Sequence, residues 1–131
     1  MKVLIAEPDA AYRSFVRRTL EREIDLVLVA EAADGEQAVR LAQQLKADVV
    51  LVDIDLLGVD GLEATRRITA ELPRTKVIGL GALNGESYAN LAVGFGAEAF
   101  LAKGSPISEL LSAIRQGHLR TLCREMIDSA R

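Results

Sequence analysis

Five side chains carry the chemistry this sequence has to offer. Glu7 and Asp9 follow a first apolar run, Asp53 and Asp55 end another, and Lys103 ends a later one. Clustered carboxylates repel one another unless something neutralises them, and a hard, oxygen-seeking ion such as Mg²⁺ supported by a lysine is suited to that task. A carboxylate held beside such an ion is also a nucleophile toward a phosphoryl group, whose charge the metal and the lysine would share. The competing account is plain: polar residues occupy loop ends in any α/β fold. Spacing alone leaves both accounts standing.

These residues need a frame that brings them to one place. Val49-Val50-Leu51-Val52 runs apolar without alternation into Asp53, which reads as a strand buried on both faces of a parallel sheet. Asp53 then lies just beyond the carboxyl end of the strands, where open α/β folds hold their ligands. Further strands are expected over residues 3–6, 26–30, 76–80 and 97–101. Pro8, which has no amide to donate, halts the first.

Helix signals alternate with the strands. Asp9 is placed to cap a helix whose Tyr12, Phe15, Val16 and Leu20 form one apolar stripe, while Arg13, Arg17 and Arg18 fall largely outside it. Those arginines read as a solvated face or as a docking patch. Asp34-Gly35-Glu36-Gln37 and Asp60-Gly61-Leu62-Glu63 both have the pattern of a capping box. The helices they open turn Ala38, Leu41, Ala42 and Leu45, then Leu62, Thr65, Ile68 and Leu72, to one side, and Pro73 closes the second. Asn84 opens a fourth helix bearing Tyr88, Leu91, Ala92 and Phe95, ended by Gly94 and Gly96. Ser105-Pro106 opens a fifth, with Ile107, Leu110, Leu111 and Ile114 facing the core. Five βα units with right-handed crossovers make a doubly wound α/β fold.

Composition narrows the function. A chain of 131 residues, half of them hydrophobic, supplies one core and therefore one domain, expected over 1–117. Residues 118–131 stay helix-compatible through Leu119, Leu122 and Met126, as a helical extension or the start of a linker. A net charge of −3 gives no nucleic-acid-binding surface. One cysteine, Cys123, forms no internal disulfide, and neither it nor His118 has metal-ligand spacing. The apolar start is too short for a signal peptide and no run approaches a membrane span, so a cytoplasmic setting without membrane contact is expected. The Gly79-Leu80-Gly81-Ala82-Leu83-Asn84-Gly85 loop matches a dinucleotide fingerprint poorly, and it sits at the fourth strand with too little chain after it.

Taken in order, Val3-Leu4-Ile5-Ala6-Glu7, Val49 through Asp53, Gly58-Val59-Asp60-Gly61-Leu62-Glu63 and Gly96 through Lys103 resemble a response-regulator receiver domain of two-component signalling. The stretch from Ala30 to Ala38 brings it nearest the receivers of LuxR-type transcription factors. The resemblance spans roughly residues 2–117. It implies a flavodoxin-like (βα)₅ fold with strand order 2-1-3-4-5, and a non-enzymatic phosphoprotein of signal transduction and transcription regulation. It implies Mg²⁺-dependent phosphotransfer from a sensor histidine kinase to Asp53, with Lys103 pairing with the aspartyl phosphate. Glu7, Asp53 and the main-chain carbonyl of Asp55 would hold the metal, and Phe100 would sit at the aromatic switch position. A homodimer is expected, with DNA contact only through a C-terminal domain outside this sequence.

Three departures qualify the resemblance. The second acidic position after the first strand is Pro8, which offers no ligand; Asp9 could reach an ion but suits the cap better. The Ser or Thr that closes the fourth strand is Gly81, so the hydroxyl that follows the phosphoryl group is missing. The usual Met-Pro before Gly58 is Leu56-Leu57, a mild change. Expected, then, is a receiver with a degenerate pocket, working mainly as a phosphorylation-independent or weakly phosphorylated interaction module. The alternative is a conventional switch at Asp53.

Overall fold

In the computed structural model the described residues are 1–56, 60–82 and 86–116, side chains excepted at 86–89. The chain runs β1 (Lys2–Ala6), α1 (Ala10–Glu21), β2 (Val27–Ala32), α2 (Gly35–Leu45), β3 (Val49–Asp53), α3 (Gly61–Glu71), β4 (Lys76–Gly81), α4 (Glu86–Gly94) and β5 (Ala99–Ala102). A last helix, α5, covers residues 107–116. The strands pair in parallel in the order β2-β1-β3-β4-β5, the flavodoxin-like arrangement expected.

The unbroken apolar runs have a simple cause. Side chains alternate across a strand, and both faces of this sheet are covered. Leu4, Val50, Val52 and Val77 pack with Ala38, Ala64 and Ile68 on one side. Val3, Ile5, Val49, Leu51, Ile78 and Leu80 pack with Val16, Leu20, Leu110 and Ile114 on the other. Every residue of β3 is buried. Position in the sheet thus leaves β3 at its centre no polar face, and only its end is free to do chemistry.

Three aspartates start three helices. Asp9, Asp34 and Asp60 accept hydrogen bonds from the amides of Ala11, Gln37 and Glu63 at 2.9, 2.8 and 2.8 Å. Gln37 Oε1 reaches back only as far as the Ala33 amide, 3.1 Å away. Glu63 does not reach back: its carboxylate takes Arg66 and Arg67 of its own helix, so the second box is half a box. Those exposed ion pairs hold Glu63 well below the usual carboxylate range, at about 2.

Some expected boundaries and faces shift. β2 starts one residue later than expected and runs on to Ala32, and its register against β1 slips between Val3 and Leu4. β5 starts at Ala99, because the Ala97 amide is bound by α4. Ala97 donates to Ala92 O and Gly96 to Val93 O, the paired bonds of a Schellman end, with Gly96 at φ +111°. α5 starts after Pro106, whose carbonyl accepts from Leu110, so proline sits one place before its expected position. Phe15 is 37% exposed and Ile107 43%; they do not enter the core but line a groove of about 260 Å³ between α1 and α5. Leu91 is likewise exposed. The expectations for Leu57, Gly58, Val59, Asn84, the Tyr88 side chain, His118, Cys123 and the 118–131 extension lie outside the described residues. Among the described residues, no helix is long and apolar enough to cross a membrane.

Candidate functional site

Parallel strands point the same way, so β1, β3 and β5 deliver their last residues to one edge. Glu7 continues β1, its amide bound to Ala32 O at 2.9 Å. Asp53 is the last residue of β3, and the Ile54 amide after it binds Leu80 O at 3.0 Å. Lys103 continues β5 through its amide on Gly81 O at 2.8 Å. A main-chain bond to a neighbouring strand therefore positions each of the three before any side chain touches another.

Lys103 Nζ joins the two acids. It donates to Glu7 Oε1 at 2.8 Å and is ion-paired with Asp53 Oδ2. Both carboxylates are buried, Glu7 completely. Asp53 Oδ1 accepts the Asp55 amide at 2.7 Å, which leaves Asp53 bonded at both oxygens. Glu7 Oε1 also accepts the Asp9 amide at 3.1 Å, whereas Oε2 is buried without a partner.

Two carboxylates and one ammonium make a net negative pocket in a poorly solvated place. Burial raises Glu7 to about 7; Asp53 pushes the same way, and Lys103 with the Asp9 amide pulls back. Lys103 is partly buried, which works against its charge, but Asp53 and Glu7 outweigh this and hold it above its ordinary value. Its ammonium also lies 5.2 Å from the centre of the Tyr12 ring, whose own hydroxyl is pushed up by burial and by Glu7.

The remaining expected site residues fall in different places. Asp9 is exposed and capping α1, with its amide rather than its carboxylate turned to Glu7. Asp55 is exposed in the turn after β3. Gly81 is buried at the end of β4, and Phe100 of β5 lies against it. Among the described residues no three His, Cys, Asp or Glu side chains are grouped to hold a metal ion.

Two contributors escape sequence reasoning. Arg13 is not simply a solvated side chain: its Nη1 donates to Glu7 O at 2.7 Å and Pro8 O at 3.3 Å, while Nε faces Glu31 at 3.6 Å. It pins the loop that carries Glu7. Arg17 pairs with the same Glu31 at 2.7 Å. Gly61 is the second. A Cβ there would overlap the Asp53 carbonyl oxygen, so only glycine lets α3 start against the end of β3. The capping-box pattern at Asp60-Gly61 marks a helix start but not what lies beneath it.

A doubly wound parallel sheet with paired acids and a lysine at its carboxyl edge places its charged groups where open α/β folds bind ligands. The chain belongs to the response regulator receiver domain family, whose model matches residues 3–115. It is 34% identical over 116 residues to the response regulator GacA of Pseudomonas aeruginosa and 35% identical over 115 residues to the transcriptional regulatory protein LiaR of Bacillus subtilis. Each match covers 88% of this chain and 54% of the relative, so the chain spans about half the length of those relatives. Among solved structures it is similar to the receiver domain of the putative response regulator NarL from Mycobacterium tuberculosis (TM-score 0.82, 29% identity, 88% of this chain and 93% of that one). It is also similar to the response regulator domain of Thermotoga maritima CheB (TM-score 0.83, 29% identity, 90% and 96%).

Proposed function

We propose that this receiver domain works mainly without phosphorylation, as a protein-interaction and dimerisation module whose acid pocket is degenerate. The observation that carries the reading is the aromatic ring of Phe100 against Gly81, where a hydroxyl would otherwise follow a phosphoryl group. Pro8 supports it from the other side by removing a ligand. In this reading Asp53 is the residual phosphoacceptor and Lys103 its charge partner.

Receiver domains bind Mg²⁺ for phosphorylation, and the donor set here fits such an ion sparingly. The unpartnered Glu7 Oε2 is the group in want of one. Glu7, Asp53 and the Asp55 carbonyl would hold it, with Asp9 committed to its cap. Mg²⁺ tolerates one or two carboxylates when water completes its shell, but Lys103 already neutralises part of this pair. A bound ion would spread the charge of an incoming phosphoryl group. The residues themselves hold Asp53 in place and exclude bulk water from it.

The second reading, a conventional switch driven by a sensor histidine kinase, is favoured by the ion pair between Lys103 and Asp53. Self-association belongs to the first reading, and exposed Leu91 and Ile107 are apolar surface that a second copy would cover. DNA contact would require a domain outside this chain, as expected of a cytoplasmic regulator spanning half of its relatives' length. Intact-mass analysis after treatment with acetyl phosphate and Mg²⁺ decides between the readings. Little or no adduct, with the same sedimentation in wild type and Asp53→Asn, is the expected result. A stoichiometric adduct that vanishes in Asp53→Asn would establish the conventional switch.

A further inference from the structure

β4 ends in an alternation of glycine and apolar residues, Gly79-Leu80-Gly81. Leu80 turns into the core with Ile78, so Gly79 and Gly81 share the opposite face. The parallel register sets Gly79 beside Phe100 and Gly81 beside Ala102, which brings the Phe100 ring over that face. There it packs with the cluster of Val52, Val77 and Ala92. The fit is close. A Cβ on Gly81 would stand 2.5 Å from Phe100 Cζ and 3.2 Å from Cε2, and one on Gly79 would stand 3.0 Å from Cδ2 and 3.3 Å from Ala92 Cβ. Real Cβ contacts essentially never fall below 3.0 Å. In this arrangement a side chain at 81 and the ring at 100 exclude each other.

We infer that the two glycines form a trough that holds Phe100 in one position, so the ring is a fixed wedge between β4 and α4 and not a movable switch. As an account of signalling, this rests on the phosphorylation-independent reading. As an account of packing, it rests on the mutual exclusion alone. The half-buried ring takes the volume that a longer residue 81 would need, and every atom such a residue would meet first belongs to the ring itself, so the ring is what would have to move. Phe100 is therefore a positioning residue for the β4–α4 face.

A double-mutant cycle tests this directly. Gly81→Ala should lower Tm by about 5–10 °C in the wild-type background, through overpacking against the ring. In Phe100→Ala the same substitution should cost almost nothing, because the ring is gone. Should Gly81→Ala fail to fold, its rescue by Phe100→Ala carries the same information. An equal loss in both backgrounds, including failure to fold in both, would overturn the trough. A second measurement is ¹⁹F NMR of the 4-fluorophenylalanine-labelled domain, with the Phe100 signal assigned by its loss in Phe100→Leu. One sharp resonance is expected; two resonances or exchange broadening would overturn the fixed wedge. A phosphoryl adduct would sink the functional reading without altering the cycle, and a flat cycle would sink the trough whatever the adduct experiment gives.

Discussion

The acid pocket and the β4–β5 edge lie side by side, and they are held together by opposite means. In the pocket, three charged groups from three strands are fixed by ion pairs and charge-assisted hydrogen bonds, with Lys103 as the common partner. At the edge the described contact is apolar: two glycines accept an aromatic ring, and shape decides its position. One arrangement responds to pH and to ions. The other responds only to volume. A switch needs both regions to move together, and the reading proposed above, an acceptor and lysine kept without the route that carries their state outward, stands on this contrast.

The largest expected effect breaks the pocket. Lys103→Met leaves two buried carboxylates without their cation and should cost about 3–5 kcal/mol, seen as a lower midpoint in urea at pH 8. The loss should shrink at pH 5, where Glu7 is protonated. An unchanged midpoint at both pH values would mean that charge does not hold this region, and the contrast would fall.

Glu7 gives a sharper and smaller signature. Its folded-state pKa of about 7 lies above the value of 4.5 it has when unfolded. Between those values the folded state binds more protons, so stability from this group is full below about pH 4.5 and is lost as pH rises through 7. The loss should be on the order of 1–3 kcal/mol. Lys103, held above its ordinary value, titrates beyond that window. Thermal melts from pH 5 to 8 should show wild type declining relative to Glu7→Gln, which keeps the size and lacks the titration. Parallel curves for the two proteins would refute the raised pKa.

The smallest effect separates the cap from the metal site. Asp9→Ala should cost about 1 kcal/mol through the lost bond to the Ala11 amide, and Asp9→Ser only a few tenths. Neither should change the affinity for Mg²⁺, measured by calorimetry. A serine variant that keeps its stability but binds Mg²⁺ several-fold more weakly would return Asp9 to the ligand set.

Much of this is legible in the amino-acid sequence. The strand ends gave Glu7, Asp53 and Lys103, because parallel strands deliver their last residues to one edge, just past the buried runs. The aspartate caps were legible for a similar reason, since a helix start exposes amides that only a few side chains satisfy. Long side chains were less readable. Arg13 looked free and instead holds the loop behind Glu7; Glu63 looked like half of a capping box and instead binds its own helix. Flexible stems choose among several partners, and sequence spacing does not rank them.

By itself, then, the sequence determined the five βα units, the edge at which the charged residues meet, and the absence of a hydroxyl at Gly81. These follow from periodicity and residue type, which act locally. Only the tertiary structure decided that Lys103 bridges Glu7 across 96 residues, that one oxygen of Glu7 is left unpartnered, and that Phe100 fills the space above Gly79 and Gly81. Burial and shape arise where distant strands meet, and those two quantities set the pKa of Glu7 and the place of the ring.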